Sequence, residues 1–158
     1  MTDNISIVQV IQLMLAPGLM ISACGLLLLA MNNKYSLVVN RIRLLNEEKR
    51  KFISKVSGKD FNYEETIRLE SILLQIKKLA FRARLVRNAV LSYTIAVALF
   101  VITSLLIGFK FIFEIEKVGS LITALFLIGM ISVLTGVVYA AYETIKGYEI
   151  IQLEVKVD

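Results

Sequence analysis

The chain has 158 residues, of which 57% are apolar and 20% are charged, and its formal net charge is +5. Soluble domains are usually about 45–50% apolar, so this composition, with a mean hydropathy of +0.72, argues against an ordinary soluble enzyme. The absence of histidine and the single cysteine, Cys24, exclude histidine-based catalysis, intrachain disulfides and the common zinc sites. We therefore expect no enzymatic activity and no cofactor.

Three long apolar segments dominate the chain. Residues 10–31 carry no charge, residues 89–113 carry only Lys110, and residues 118–142 carry none. A helix of roughly 20 residues crosses a bilayer core of about 30 Å. We predict an all-α integral membrane protein with three transmembrane helices. Because no basic residue precedes the first segment, we expect it to be retained as a span and not cleaved as a signal peptide.

The basic residues predict the orientation in the membrane. Residues 32–88 hold 14 of the 18 Lys and Arg residues and only 6 of the 13 acids. The positive-inside rule places this segment in the cytoplasm. The N-terminus (1–9) and a short loop (114–117) then lie outside, and the C-terminal tail (143–158) lies inside.

Residues 32–88 show the spacing of a helical hairpin. Apolar residues recur at alternating intervals of three and four, from Tyr35 in the first half, where only Lys49 breaks the row, and from Leu69 in the second. Two such heptad helices, joined by a turn over residues 57–62, predict an antiparallel coiled coil between spans one and two. The best match of the two seams pairs Leu45 with Leu79.

A second apolar row lies on the opposite side of the second hairpin helix. It consists of Ile67, Leu74, Phe81 and Leu85. A lone hairpin should be polar there, so the row predicts an oligomer interface. The alternative is that the C-terminal tail of the same chain covers it.

Five basic residues crowd the turns that lead into span two: Lys77, Lys78, Arg82, Arg84 and Arg87. We predict that they stop translocation and bind anionic lipid headgroups. The cluster lies close to the bilayer without a separate reader domain, so we expect no nucleic-acid partner.

Span one contains the only proline and a row of small residues. Pro17 removes a helical hydrogen bond and predicts a kink. The candidate pore or kink region comprises Pro17, Gly18, Ser22, Gly25, Asn32 and Asn33. Small residues at this spacing also permit close helix packing, which is the alternative interpretation. Gly129, Ser132 and Gly136 in span three indicate helix packing as well.

The C-terminal tail changes its period. Ile151, Leu153, Val155 and Val157 alternate with polar residues. Alternation predicts a short strand, but one strand is not stable alone. A frayed or helical tail is the alternative.

Several runs of residues resemble a known family. They are Ile11–Pro17, Met20–Leu27, Asn33–Ser36 and Asn40–Leu45. Together they resemble the bacterial membrane family called domain of unknown function 2721, most densely over residues 11–50. The family tends to have arginine where Lys34 stands here. The resemblance implies a bacterial inner-membrane protein with three spans, and it implies no activity.

Two functions remain open on the sequence. The first is a homo-oligomeric ion channel or pore lined by the kinked first span. The second is a non-conducting membrane scaffold that binds a cytosolic protein partner through the hairpin. The lack of acidic residues within the three segments makes a proton-coupled transporter a poor fit.

Overall fold

Three long helices make up the fold. The computed structural model describes residues 7–56, 63–113 and 118–155, which form α1 (Ile7–Val56), α2 (Tyr63–Phe113) and α3 (Gly119–Val155). All three are long and apolar enough to cross a membrane. The predicted all-helical architecture with three potential spans is therefore confirmed. The predicted turn (57–62) and loop (114–117) lie outside the described residues.

Helices α1 and α2 are far longer than a bilayer requires. They have 50 and 51 residues, which corresponds to roughly 75 Å each at the α-helical rise. Each contains one of the predicted spans and one arm of the predicted hairpin in a single uninterrupted helix. The length of each helix therefore exceeds a bilayer core of about 30 Å by more than half of the helix.

The C-terminal strand predicted from the alternation is wrong, and the helical alternative is observed up to Val155. Helix α3 continues through Ile151 and Leu153 and ends at Val155, and no strand occurs among residues 7–56, 63–113 and 118–155. The physical reason is the hydrogen bonding of the backbone. A helix satisfies its own amide groups, whereas an isolated strand leaves them without partners. Position 157 lies beyond the described part of the chain.

Helix α2 is the centre of the molecule. It packs against both α1 and α3, which scarcely touch each other. Most fully buried side chains belong to α2, among them Val86, Tyr93 and Phe100. The fold is thus a layer of three helices with α2 in the middle, and α1 and α3 each keep one wide face free of contact within the chain.

The α1–α2 contacts are antiparallel and follow a heptad spacing. On α1 the buried residues recur at every seventh position: Val10, Pro17, Cys24, Met31, Val38 and Leu45. At two of these levels one α1 residue joins several residues of α2 in a buried cluster: Cys24 with Ala96 and Phe100, and Met31 with Val86, Ala89 and Tyr93. A seam with alternating spacings of three and four looks the same after a shift of one turn. The pairing of Leu45 with Leu79 therefore stays a prediction.

The seam residues of the hairpin nevertheless turn inward. Val38, Leu45, Ile72 and Val86 are buried, whereas Tyr35 at the edge of the seam is 39% exposed. An ion pair between Arg68 and Glu48, 3.1 Å apart, links α2 to α1 on the side of the predicted turn. Both partners are well exposed, so this pair contributes little to stability.

Small residues of α3 let it approach α2 closely. Gly129 lies against the ring of Phe100, and Gly136 lies against the ring of Tyr93; a Cβ atom at either position would come within 2.8 Å and 2.6 Å of these rings. Between them, the Ser132 hydroxyl donates a hydrogen bond of 2.8 Å to the Ser92 carbonyl. The packing role predicted for this row of α3 is therefore observed.

Candidate functional site

A buried carboxylate joins all three helices. Glu143 of α3 has a side chain only 1% exposed and accepts hydrogen bonds from a cation on each of the other two helices. Arg82 of α2 donates two, from Nη2 at 2.6 Å and from Nε at 3.1 Å, to Oε1. Lys34 of α1 donates one of 3.1 Å from Nζ to Oε2. We call these three residues the charge cluster.

Two neighbouring residues of α3, Thr144 and Gly147, accommodate the charge cluster. Lys34 Nζ also donates to the Thr144 hydroxyl at 3.2 Å. Gly147, one helical turn after Glu143, leaves room for the guanidinium of Arg82, because a Cβ atom there would lie 2.9 Å from Nη2. A buried charge is tolerated only when it is paired and hydrogen-bonded. The cluster meets that condition, and it links α1 to α3, which otherwise scarcely touch.

The five basic residues predicted to contact lipid headgroups do not act as one set. Arg82 points inward to Glu143, and its side chain is only 23% exposed. Lys77, Arg84 and Arg87 are exposed, and Lys78 is half-buried. The headgroup role therefore remains a prediction for these four residues, whereas Arg82 has a partner within the chain.

A face of α1 carries small and polar residues that no other helix of the chain covers. We call it the α1 outer face and define it by Gly18, Ser22, Gly25, Leu29, Asn32 and Ser36, all of which are exposed. Pro17, beside it, is instead fully buried toward α2. Asn33, the remaining member of the predicted pore region, is also exposed. Lys34 projects from the opposite side of α1, so its bond to Glu143 turns the outer face away from the bundle.

The two small-residue rows of the molecule thus differ. In α3, aromatic rings of α2 occupy the space beside Gly129 and Gly136. In α1, a Cβ atom added at Gly18 or Gly25 would meet no atom within 4 Å. Packing within the chain therefore does not explain the small residues of α1.

A crevice opens where α1 and α3 separate above α2. Its volume is about 180 Å³, and it is lined by Leu13, Ala16, Pro17, Thr103, Ile107, Ile122, Thr123 and Phe126. Its floor, Pro17 and Thr103, is buried, and its mouth, Leu13 and Ala16, is exposed. It lies beside the predicted kink and away from the charge cluster.

The apolar row of the hairpin is partly available for contact. Ile67, Leu74 and Phe81 are 50%, 54% and 46% exposed, although α3 continues to Val155. Leu85, predicted to extend the row, is buried at 7% exposure. The row that a second protein can reach is therefore shorter than predicted, because Leu85 already has neighbours within the chain.

Sequence reasoning missed Glu143, since residues 143–158 were assigned to a C-terminal tail. One signal was available: Glu143 is the first acid after the third apolar segment and lies one turn before Gly147. An acid at the edge of a span faces neighbouring cations more often than lipid. No metal-binding group of three or more acidic, cysteine or histidine side chains occurs within the described ranges.

The helices and the charge cluster define a class of protein: a three-helix chain whose helices can each span a membrane and are tied together by one buried carboxylate. Residues 14–153 match the model of a family of proteins of unknown function, DUF2721, and the chain belongs to that family. The family resemblance noted from the sequence is thus confirmed over most of the chain. No curated protein and no solved structure was found to match this chain.

Proposed function

We propose that the protein is a homo-oligomeric pore of the bacterial inner membrane in which the α1 outer faces of several copies surround a water-filled path. The observation that carries this proposal is the exposure of Ser22, in the middle of the first apolar segment, on a surface that lipid would otherwise contact, with Asn32 and Ser36 continuing the same face beyond the end of that segment. Lipid tails offer no hydrogen bonds, so polar side chains at membrane depth normally face protein or water.

The charge cluster supports this arrangement. Because Lys34 is bound to Glu143, the opposite side of α1 is held away from α2 and α3 in every copy. Identical copies would then present identical faces, which is the condition for closed symmetry. Gly18 and Gly25 would allow the helices to approach one another or leave space for water.

In the proposed orientation, the N-terminus lies outside and the basic segment 32–88 lies in the cytoplasm. A single cysteine at position 60, introduced in a chain in which Cys24 is replaced by alanine, tests it. The cysteine should be protected from a membrane-impermeant reagent in intact cells and should react after permeabilisation. Labelling in intact cells would reverse the proposed topology.

Conduction is tested with purified protein reconstituted in vesicles. The wild type should release entrapped ions, and Ser22→Leu should lower the rate roughly tenfold, because a ring of leucines dewets a narrow pore. Ala23→Leu is the matched control, since Ala23 is also exposed but lies on another side of α1. If the wild-type oligomer releases no more ions than empty vesicles, the pore is refuted.

A membrane scaffold is the second candidate. It is favoured by the half-exposed row of Ile67, Leu74 and Phe81 on the arm of α2 that extends beyond the bilayer. Replacing Leu74 and Phe81 by glutamate should leave insertion intact and should release a partner that co-purifies at a fixed ratio. If the same variant instead yields smaller homo-oligomers by native mass measurement, the row joins copies of this chain.

A further inference from the structure

We propose that the crevice between α1 and α3 is a binding site for the acyl chain of a membrane lipid. This inference does not depend on the pore, because every lining residue belongs to one chain.

The chemistry of the lining is almost entirely that of hydrocarbon. Six of the eight lining residues are apolar, and the other two are Thr103 and Thr123. Both hydroxyls already donate within their own helices: Thr103 to the Leu99 carbonyl at 2.7 Å, and Thr123 to the Gly119 carbonyl at 3.1 Å. The lining therefore offers neither a charge nor a free side-chain donor to a polar ligand. Water would find too few partners to remain there.

The depth of the crevice along the potential spans indicates which kind of molecule would occupy it. Its walls come from the first turns of α1 and α3 and from the last third of α2, within segments that can span a membrane. At the α-helical rise, Thr103 lies roughly 15 Å from the end of α2 at Phe113. That is the depth of acyl chains in one leaflet of a bilayer with a core of about 30 Å.

The shape and size of the crevice fit a chain and not a helix. Its mouth, at Leu13 and Ala16, opens to the surface, whereas Pro17 and Thr103 close its floor. A volume of 180 Å³ holds about six groups of the size of a water molecule or a methylene. A second helix, about 10 Å across, cannot enter such a space, but the end of an acyl chain can.

The absence of tryptophan from the chain makes a direct test possible. Phe126→Trp places one indole in the wall of the crevice with little change of volume. Vesicles containing phospholipids brominated on their acyl chains should quench its fluorescence. Adding Ala16→Phe, which fills the mouth, should reduce the quenching roughly twofold or more, because one ring displaces most of the bound chain. Ala23→Phe is the matched control outside the crevice and should change nothing.

Two further measurements complete the test. Phe109→Trp, on an exposed part of α2, should be quenched with or without Ala16→Phe. Native mass spectra of the tryptophan-free protein should show a retained phospholipid that Ala16→Phe removes and Ala23→Phe does not. Quenching at position 126 that is insensitive to Ala16→Phe would overturn the proposal. So would quenching that appears only after the oligomer dissociates, since a second copy would then fill the crevice.

Discussion

Removing one cation of the charge cluster should destabilise the protein, and the two cations should contribute unequally to the free energy of unfolding. Arg82 donates two hydrogen bonds to Glu143, the shorter of 2.6 Å, and its side chain is 23% exposed. Lys34 donates one of 3.1 Å to Glu143 and is 45% exposed. Arg82→Met therefore removes the stronger and less solvated partner of a carboxylate that is itself buried.

The magnitude follows from the geometry. Removing one partner of a fully buried pair typically costs about 3–5 kcal/mol. Both cations here retain contact with solvent, so we expect about 2–3 kcal/mol for Arg82→Met and about 1 kcal/mol or less for Lys34→Met. Arg84→Met, on the same helix but exposed, is the matched control and should change the stability by less than about 0.5 kcal/mol.

The assay is the free energy of unfolding in mixed micelles, followed by the loss of helical circular dichroism as a denaturing detergent is added. A double variant, Arg82→Met with Glu143→Met, should cost about 2 kcal/mol less than the sum of the two single variants, because no charge is then left buried without a partner. Equal costs for Lys34→Met and Arg82→Met, or additive costs in the double variant, would refute the assignment of Arg82 as the main partner of Glu143.

Two further predictions follow from the helix contacts. Gly136→Ala should lower the free energy of unfolding by about 1–3 kcal/mol, because the new methyl group meets a tyrosine ring of α2; Gly25→Ala, where no atom lies nearby, should not lower it in the same detergent titration. In a chain without the native cysteine, cysteines at Leu45 and Leu79 should form a disulfide faster than cysteines at Leu45 and Ile72, as judged by the mobility of the oxidised chain on a gel, because the predicted register places Leu45 opposite Leu79. Faster crosslinking of the pair at 45 and 72 would refute that register.

The sequence alone determined the class of fold, because hydrophobicity and length act locally. Uncharged segments such as residues 10–31 can be recognised without knowledge of any neighbour, and a backbone in lipid must satisfy its own hydrogen bonds as a helix. The seam of the hairpin was also visible, since burial of Leu45 and Ile72 follows from heptad spacing. The C-terminal tail shows the limit of local reasoning. The alternation from Ile151 predicts a strand, but the residues up to Val155 continue α3 as a helix.

Only the tertiary structure decided which residues of each helix meet. A seam of repeated spacing fits its partner in more than one register, and only the structure shows that Met31 lies in one buried cluster with Ala89. The sequence assigned Glu143 to the C-terminal tail, whereas the structure places it between Lys34 and Arg82. The same holds for the glycines: Gly129 and Gly136 of α3 lie against aromatic rings of α2, whereas a Cβ atom at Gly18 or Gly25 of α1 would meet no atom within 4 Å. Contact between distant segments depends on the relative rotation of whole helices, which no local pattern specifies.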